Sequence, residues 1–454
     1  MNNQWIDKFR AYPKVHSLLE KAFSSELFKR ILRGSFWNAI LNFFSKGVSF
    51  IGTVIIIRLI GKEAYGEFGM LNSTIAMFGM FTTFSISQTA TKHIAEFRDL
   101  DRPKAGRIIG LSFLFSATMG LLIFSIVQLT AGMLATNSLN APHLEGSLRL
   151  MATGMLFGSL NGAQYGVING LEAFKENSFL GILLGITLTI MKIALTYWFG
   201  FYGAVLGMTI EPFVTYLATF YLIRKLLKRS QLKIMFAGAL KEYKILFNYS
   251  LPSLLSGLLI FPTNWYTMSL LATNKEGGYD DLADFNVANQ WFNVLIFITY
   301  ILVSSFLPIF SDLWAKKEYQ KVNRIVKNAS ATILAIFIPI SIIFLIFGES
   351  IGKIYGVEYT GVGILIFVSV FTLIPQSLCI VLNNVLVASG RLWTSLLVFA
   401  AWSITFIGLT FALLSYSSMG LVISRLIAFV LYLIILFLVY RSYYRKSKLQ
   451  TQII

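Results

Sequence analysis

The sequence predicts an all-α membrane protein that crosses the bilayer many times. Of its 454 residues, 56% are hydrophobic and only 13% are charged, whereas about a quarter of the residues in an ordinary soluble domain are charged. The mean hydropathy is +0.70, and the apolar residues are gathered in long runs. These observations are typical of a polytopic membrane protein and argue against a soluble enzyme.

The apolar runs are long enough to be membrane-spanning helices. A helix needs about 20 mostly apolar residues to cross the hydrocarbon core of a bilayer. Twelve segments of the chain meet this requirement, approximately 35–59, 67–89, 107–131, 147–170, 177–199, 204–223, 246–271, 283–310, 329–348, 361–388, 393–415 and 420–440. We therefore predict twelve transmembrane helices, which place both termini on the same side of the membrane.

The basic residues predict which side that is. Thirty Lys and Arg residues fall in the segments on one side, and three, Lys62, Lys275 and Lys353, fall in the loops on the other. Positively charged loops remain in the cytoplasm, so both termini are expected to be cytoplasmic. The net charge of +17 is then a signal of topology and of contact with anionic lipids, and we expect no nucleic acid partner.

Residues for common enzyme chemistry are sparse. The chain has a single cysteine, Cys379, and its three histidines, His16, His93 and His143, lie far apart. This spacing gives neither a disulfide nor a paired-ligand metal motif. We predict no metal site, no cofactor and no enzymatic activity.

An internal repeat divides the chain into two halves. When the sequence is aligned with itself so that Glu67 falls on Asp284, residues 67–108 align without gaps with 284–325. Seven pairs are identical, namely Phe68/Phe285, Asn72/Asn289, Thr82/Thr299, Ser87/Ser304, Lys104/Lys321, Arg107/Arg324 and Ile108/Ile325. Both copies begin on the same side, so we predict two parallel six-helix halves with a substrate path between them.

The repeat gives the expected domain organisation. It comprises a cytoplasmic segment 1–34, a first bundle 35–223, a cytoplasmic linker 224–245, a second bundle 246–440 and a cytoplasmic tail 441–454.

Polar stripes on several spans predict a central cavity. In the first span Asn38, Asn42, Ser45, Lys46, Ser49 and Thr53 fall on one helical face, and the eighth begins with Asn286, Asn289, Gln290 and Asn293. Polar groups facing lipid are costly, so these faces should contact protein or water. Polar contacts between helices are the alternative explanation. Our candidate substrate-binding residues are Lys46, Asn42, Ser49, Asn72, Asn286, Asn289, Asn293 and Arg58.

Several charges lie inside the predicted spans. Lys192 and Glu211 flank a tight turn at equal distances, so antiparallel neighbouring helices should bring them to the same depth as a structural or proton-coupling ion pair. Arg58, Arg149 and Arg425 lie within a turn or two of the outer surface, and we expect them to snorkel there. Lys46 lies near mid-membrane on the polar stripe, where an anionic ligand or water would offset the cost of its charge.

Glycines recur every four residues in the fourth predicted span, at Gly154, Gly158, Gly162, Gly166 and Gly170. A small residue at this spacing lets a second helix approach closely. We expect this face to serve helix packing.

Residues 32–98 resemble the start of the polysaccharide-biosynthesis flippases. The runs 58–61 (RLIG) and 65–68 (YGEF) are similar to the RLLGxxxYGxF signature of that family, and the segments 91–97 (TKHIAEF) and 170–175 (GLEAFK) are similar to two further elements. The resemblance points to O-antigen (Wzx-type) flippases of the multidrug/oligosaccharidyl-lipid/polysaccharide exporter superfamily.

The resemblance implies a function and a location. It implies a flippase in the bacterial inner membrane that moves undecaprenyl-pyrophosphate-linked oligosaccharide to the outer leaflet by alternating access. The implied partners are this lipid-linked substrate, the bilayer and other membrane proteins of polysaccharide assembly. Two alternatives stay open: a cation-coupled multidrug exporter of the same superfamily, for which Glu211 is the one deeply placed acid, and a membrane polysaccharide polymerase.

Overall fold

The computed structural model describes residue 45 and residues 47–245, 251–274, 277–303 and 306–452. Within these ranges the regular elements are helices, and no strand occurs. The all-helical prediction is therefore confirmed for the part of the chain that the structure describes.

The first part of the chain forms α1 to α6. Their bounds are Gly47–Ile60 (α1), Lys62–Phe97 (α2), Arg102–Met133 (α3), Glu145–Gly170 (α4) and a run Phe174–Arg229 that contains α5 and α6. The backbone leaves the helical conformation at Gly200, which separates α5 from α6. A loop after α6 packs against α3, where a Cβ on Gly110 would overlap the carbonyl oxygen of Met235.

The second part forms α7 to α14. Their bounds are Leu251–Ala272 (α7), Gly278–Val303 (α8), Phe306–Ala315 (α9), Tyr319–Gly352 (α10), Gly363–Phe371 (α11), Leu373–Ala388 (α12), Leu392–Leu413 (α13) and Ser417–Gln452 (α14). Thr372 alone separates α11 from α12, and these two helices lie in one apolar run.

The helix starts follow the same alignment as the sequence repeat. The start of α10 falls on the start of α3 in that alignment, and the starts of α8, α11 and α13 fall within one residue of those of α2, α4 and α5 respectively. The repeat had been predicted from one polar loop and its flanking spans, and the correspondence of helix starts extends well beyond that segment.

Two turns share an unusual backbone conformation. Gly200 has φ 56° and ψ −137°, and Ser417, its equivalent in the repeat alignment, has φ 54° and ψ −135°. Each is followed three residues later by a glycine, Gly203 or Gly420, at which a Cβ would overlap a carbonyl oxygen of the preceding helix. A positive φ is unfavourable for a residue with a Cβ, and Ser417 adopts it nevertheless. The two equivalent turns therefore have the same backbone conformation although one is formed at a glycine and the other at a serine.

The two parts of the chain meet through α1, α2, α7 and α8. Trp265 Nε1 on α7 donates to Thr74 Oγ1 on α2 at 2.9 Å, and Gln290 Nε2 on α8 donates to the carbonyl oxygen of Phe50 on α1 at 3.3 Å. Helix α2 packs against both α7 and α8. These crossed contacts make the interface in which the cavity described below lies.

The predicted outer end of this interface is closed. A Cβ on Gly66 of α2 would overlap the carbonyl oxygen of Tyr279, and one on Gly69 would overlap the side chain of Asn286. Lys62 Nζ lies 2.9 Å from Asp284 Oδ1 across the same contact. Two glycines and an ion pair therefore hold α2 and α8 together at this end.

Six helical segments of the described chain are long and apolar enough to cross a membrane. Two of them, Phe174–Arg229 and Leu392–Tyr444, contain 56 and 53 residues and include the turns at Gly200 and Ser417. Helices also extend past the predicted spans, as α2 does over 36 residues, because the hydrogen bonds of a helix continue after its apolar segment ends.

The glycine stripe of α4 serves packing in part. A Cβ on Gly166 would lie 2.6 Å from the Cβ of Ala90, and one on Gly170 would lie 2.8 Å from the Cβ of Ile94, both on α2. A Cβ on Gly154 would lie 3.1 Å from the carbonyl oxygen of Thr209 on α6, whereas a Cβ on Gly158 would meet open space. The prediction of close helix approach is thus right for three of these glycines and wrong for Gly158.

Candidate functional site

A large cavity lies between the two parts of the chain. Its volume is about 1000 Å³, at the upper end of the range for small-molecule sites. Side chains from α1, α2, α5, α6, α7, α8, α12, α13 and α14 line it. The crossed contacts of α1 and α2 with α7 and α8 place these helices around one space.

Amide side chains dominate the polar lining, and they are Asn72, Asn264, Asn286, Asn289, Gln290, Asn293, Gln376, Asn383 and Asn384. An amide both donates and accepts hydrogen bonds, so the lining can bind neutral groups such as hydroxyls in many orientations. Some of this capacity is unused within the protein, because Asn286 Nδ2, Gln290 Oε1 and Gln376 Oε1 are buried without a hydrogen-bond partner. Buried polar atoms of this kind ordinarily have a partner.

Five predicted site residues line this cavity, namely Ser49, Asn72, Asn286, Asn289 and Asn293. The last three lie on α8 at positions i, i+3 and i+7, so one helical face carries them into the same space. Asn42 and Lys46 lie outside the residues that the structure describes.

Lys192 and Glu211 also line the cavity. The reversal at Gly200 makes α5 and α6 antiparallel neighbours, and Lys192 Nζ lies 3.0 Å from Glu211 Oε2. The lysine side chain is the more buried, with 15% of its surface exposed against 37% for the glutamate. The two charges therefore neutralise each other on the wall formed by the first part of the chain.

Arg58 is placed elsewhere. Its side chain is exposed, and its Nε donates to the carbonyl oxygen of Ile354 at 2.7 Å. Arg58 is not among the residues that line the cavity. The contact joins the end of α1 to the loop after α10, so we assign Arg58 a structural role there.

The prediction that Arg425 snorkels to the outer surface is wrong. Arg425 is only 4% exposed. One terminal nitrogen donates to Asn289 Oδ1 at 2.8 Å and the other donates to Ser369 Oγ at 3.1 Å. The side chain faces α8 and α11 instead of lipid. The burial of Ser418, Val422 and Phe429 on the same face of α14 agrees with the spacing of a helix side packed on protein.

One side of the cavity is lined by aromatic rings that the sequence did not lead us to predict. The rings of Phe399, Trp402, Phe429 and Tyr432 line the cavity on the side of α13 and α14. The centroids of the Phe399 and Trp402 rings are 4.9 Å apart, and those of Trp402 and Phe429 are 5.1 Å apart. Trp402 Nε1 is buried without a partner. The aromatic spacing on α13 was a usable signal, because Phe399, Trp402 and Phe406 recur at helical intervals.

Comparison with known proteins identifies the family. The model of the polysaccharide biosynthesis protein family matches residues 31–314. The chain belongs to this family. The match covers the segment whose residues resemble the flippase signature, and it continues through α8, which carries the amide face of the cavity.

Similar proteins agree with this chain in length or in fold. The chain is 20% identical over 401 residues to the EPS I polysaccharide export inner membrane protein EpsE of Ralstonia solanacearum, and the alignment covers 84% of this chain and 87% of EpsE. Among solved structures, it is similar to a multidrug resistance MATE family transporter of the MOP superfamily in an inward-facing conformation, with a TM-score of 0.74, 16% identity and coverage of 89% and 95%. It is also similar to the outward-facing conformation of a multidrug resistance MATE family transporter of the MOP superfamily, with a TM-score of 0.65, 15% identity and coverage of 91% and 96%. The chain therefore has the fold of these transporters.

Proposed function

We propose that this protein is a flippase that moves an undecaprenyl-pyrophosphate-linked oligosaccharide from the cytoplasmic to the outer leaflet by alternating access. One observation carries the proposal, namely a cavity of about 1000 Å³ lined by amides with one uncompensated positive charge. Among the described lining residues the charged ones are Lys192, Glu211 and Arg425, and the first two form an ion pair. Amides suit sugar hydroxyls, and the excess cation suits an anionic headgroup.

The proposed mechanism needs two halves that rock about a common site. We propose twelve membrane-spanning helices in two parallel halves, with both termini in the cytoplasm. The agreement of the helix starts with the repeat alignment and the matching turns at Gly200 and Ser417 support the repeat. The contrast of thirty basic residues on one side with three on the other supports the orientation.

The membrane itself would assist this reaction. We place the protein in the bacterial inner membrane, because its relative EpsE is named as an inner membrane protein. The sugar chain and phosphates would cross inside the cavity while the isoprenoid tail stays in lipid. An inside-negative potential favours outward movement of an anion by about 2.3 kcal/mol per charge per 100 mV.

The proposed substrate contacts are made by the predicted residues that line the cavity. Ser49, Asn72, Asn286, Asn289 and Asn293 would bind the sugar chain from the two facing walls of the cavity. For Asn42 and Lys46, outside the described ranges, the proposal rests on the sequence alone: the lysine would meet the pyrophosphate. Other membrane proteins of polysaccharide assembly are the proposed partners.

A cation-coupled multidrug exporter is the second candidate. The similarity in fold to MATE family transporters and the position of Glu211 on the cavity wall favour it. The pairing of Glu211 with Lys192 at 3.0 Å disfavours it, because a carboxylate already neutralised by a lysine binds an added cation weakly.

A gene deletion separates these candidates. In cells lacking the protein, lipid-linked oligosaccharide should accumulate on the cytoplasmic side of the membrane, and surface glycan should fall. The wild-type gene should restore both. Resistance to cationic drugs should stay unchanged. Loss of drug resistance with normal surface glycan would favour the exporter, and accumulation of single repeat units on the outer side would favour a polymerase.

A further inference from the structure

The guanidinium of Arg425 is a buried cation without a carboxylate. Its two hydrogen bonds go to the neutral groups of Asn289 and Ser369, and its Nε is buried without a partner. Among the described residues, none forms an ion pair with it. A buried charge is costly unless it is paired, so the structure leaves a strong demand for an anion at this place.

Aromatic rings hold the guanidinium in position. The Cζ atom of Arg425 lies 4.3 Å from the centroid of the Phe292 ring and 5.2 Å from that of Phe285. Such cation–π contacts stabilise a cation without neutralising it. The charge is therefore fixed at the cavity wall and remains available to a ligand.

Asn289 lies between the guanidinium of Arg425 and the cavity, and it contacts both. Because Arg425 can only donate hydrogen bonds, the contact at 2.8 Å fixes Oδ1 of Asn289 as the acceptor. The Nδ2 amide group has no hydrogen-bond partner among the described residues, and Asn289 lines the cavity. Asn289 thus faces a ligand with an N–H donor that the bound guanidinium polarises.

The first half lacks an equivalent of this arrangement. In the repeat alignment Asn289 corresponds to Asn72, but Arg425 corresponds to Met208 and Ser369 corresponds to Ala152. The first half instead carries Lys192, whose charge is neutralised by Glu211. The uncompensated charge of the described lining is therefore confined to the second half.

We infer that Arg425 and Asn289 form an anion-binding subsite on the second-half wall of the cavity. Its ligand is a phosphate or carboxylate oxygen that accepts hydrogen bonds from Asn289 Nδ2 and from the unused N–H groups of Arg425. The ligand classes rest on the proposed function, because a lipid-linked glycan presents such oxygens either in its pyrophosphate or in an acidic sugar.

Direct binding to the purified full-length protein in lipid nanodiscs tests the subsite. The probes are farnesyl pyrophosphate and a glucuronate-containing disaccharide, with farnesol and the corresponding neutral disaccharide as controls, each titrated by calorimetry. The wild type should bind at least one anionic probe more tightly than its neutral control. If neither anionic probe binds in preference to its control, the inference is overturned.

Asn289→Asp is the decisive variant. It has nearly the same shape, and the new carboxylate would pair with Arg425, so the thermal midpoint should stay the same or rise. Affinity for the anionic probe should nevertheless fall by at least about tenfold, the effect of losing one charge-assisted hydrogen bond. A purely structural Arg425 predicts a stable variant that binds the probe as the wild type does, and that result would overturn the inference.

Two further variants guard against misfolding and against a general effect of charge. Arg425→Lys should keep more affinity than Arg425→Gln at matched folded protein, and equal affinity for the two would contradict the subsite. Asn328→Asp makes the same substitution at an exposed position of α10 outside the cavity lining and should bind the probe as the wild type does. A loss as large as that of Asn289→Asp would also contradict the inference.

The two probes separate the two sources of the anion. Dependence of farnesyl pyrophosphate binding on Asn289 and Arg425 assigns the subsite to the lipid headgroup, and dependence of the disaccharide assigns it to an acidic sugar. The proposed function is tested independently, because restoration of surface glycan by the wild-type gene does not require either probe to bind. If the probes fail to bind, the flippase proposal is unaffected. If the wild-type gene fails to restore surface glycan, the binding results for the subsite are unaffected.

Discussion

Lys62 Nζ and Asp284 Oδ1 lie 2.9 Å apart and join the first turn of α2 to the second turn of α8. The pair is mostly buried, with 19% of the lysine side chain and 13% of the aspartate side chain exposed. It lies at the predicted outer end of the interface, where alternating access would require α2 and α8 to separate. We therefore regard it as a latch of the outward-closed form.

Removal of one partner of this latch should destabilise the protein. Lys62→Met leaves a mostly buried carboxylate and should cost about 1–3 kcal/mol, seen as a lower thermal midpoint in detergent. The double variant Lys62→Met/Asp284→Asn should recover most of the loss. As a control, Lys316→Met removes a pair with Asp312 that is mostly exposed and should change the midpoint little. Equal midpoints for single and double variants would show that the latch carries no coupling energy.

Gly66 should be required for the same closure. Gly66→Ala would place a methyl group on the carbonyl oxygen of Tyr279 and should hold α2 away from α8. A cysteine at Asn293, on the cavity wall, should then react faster with a membrane-impermeant thiol reagent added outside the cell. Gly79→Ala is the matched control on the same helix, because a Cβ there meets open space. Unchanged labelling in Gly66→Ala would contradict the role of this contact.

The ion pair on the first wall should behave as a unit. Glu211→Gln leaves the largely buried Lys192 without its partner and should lower surface glycan and stability. The double variant Lys192→Met/Glu211→Gln should do less harm, since an unpaired buried charge costs more than none. Surface glycan at matched protein levels measures both. If the double variant were worse than Glu211→Gln, the lysine would have a role beyond pairing.

Lys46 gives a prediction that rests on the sequence. If it binds pyrophosphate, Lys46→Arg should keep part of the glycan export, whereas Lys46→Met should abolish export although the protein still inserts. A snorkelling or packing role predicts the reverse order, because methionine keeps the length and removes the cost of the charge. Full export by the methionine variant would end this assignment.

Topology is tested by cysteine labelling in a Cys379→Ala background. Asn137 is exposed in the π-helical segment Leu134–Ser138 that follows α3. Lys317 is exposed after α9, and the two residues lie on opposite predicted sides. Asn137→Cys should react with an impermeant reagent added outside, and Lys317→Cys should react only after the membrane is opened. The opposite labelling would invert the proposed orientation.

The pairing of two charges across a tight turn was predictable from the sequence. Lys192 and Glu211 each lie nine or ten residues from the centre of the turn 200–203, and this spacing was enough to predict their ion pair. The amide face of α8 was predictable from its spacing, because Asn286, Asn289 and Asn293 repeat with the period of a helix.

The direction of a side chain around its helix was harder to predict. Arg425 and Arg58 lie at similar predicted depths, but one faces α8 and the other binds a loop carbonyl. The difference depends on which helices are neighbours, and contacts such as that of α14 with α8 join residues 136 positions apart in the chain. A single helical period contains no information about such partners.

The length of α2 determines how far its opposite end moves when the helix turns about its contact with α8. Its 36 residues correspond to about 54 Å at the rise of an α-helix, almost twice the hydrocarbon thickness of a bilayer. If the helix stays rigid and turns about the contact at Gly66, the remaining 31 residues to Phe97 form an arm of about 46 Å, and a rotation of about 10° moves the Phe97 end by about 8 Å. Under the proposed alternating access, a small rotation about this closed end would therefore open the opposite end of α2 by about the width of a sugar ring.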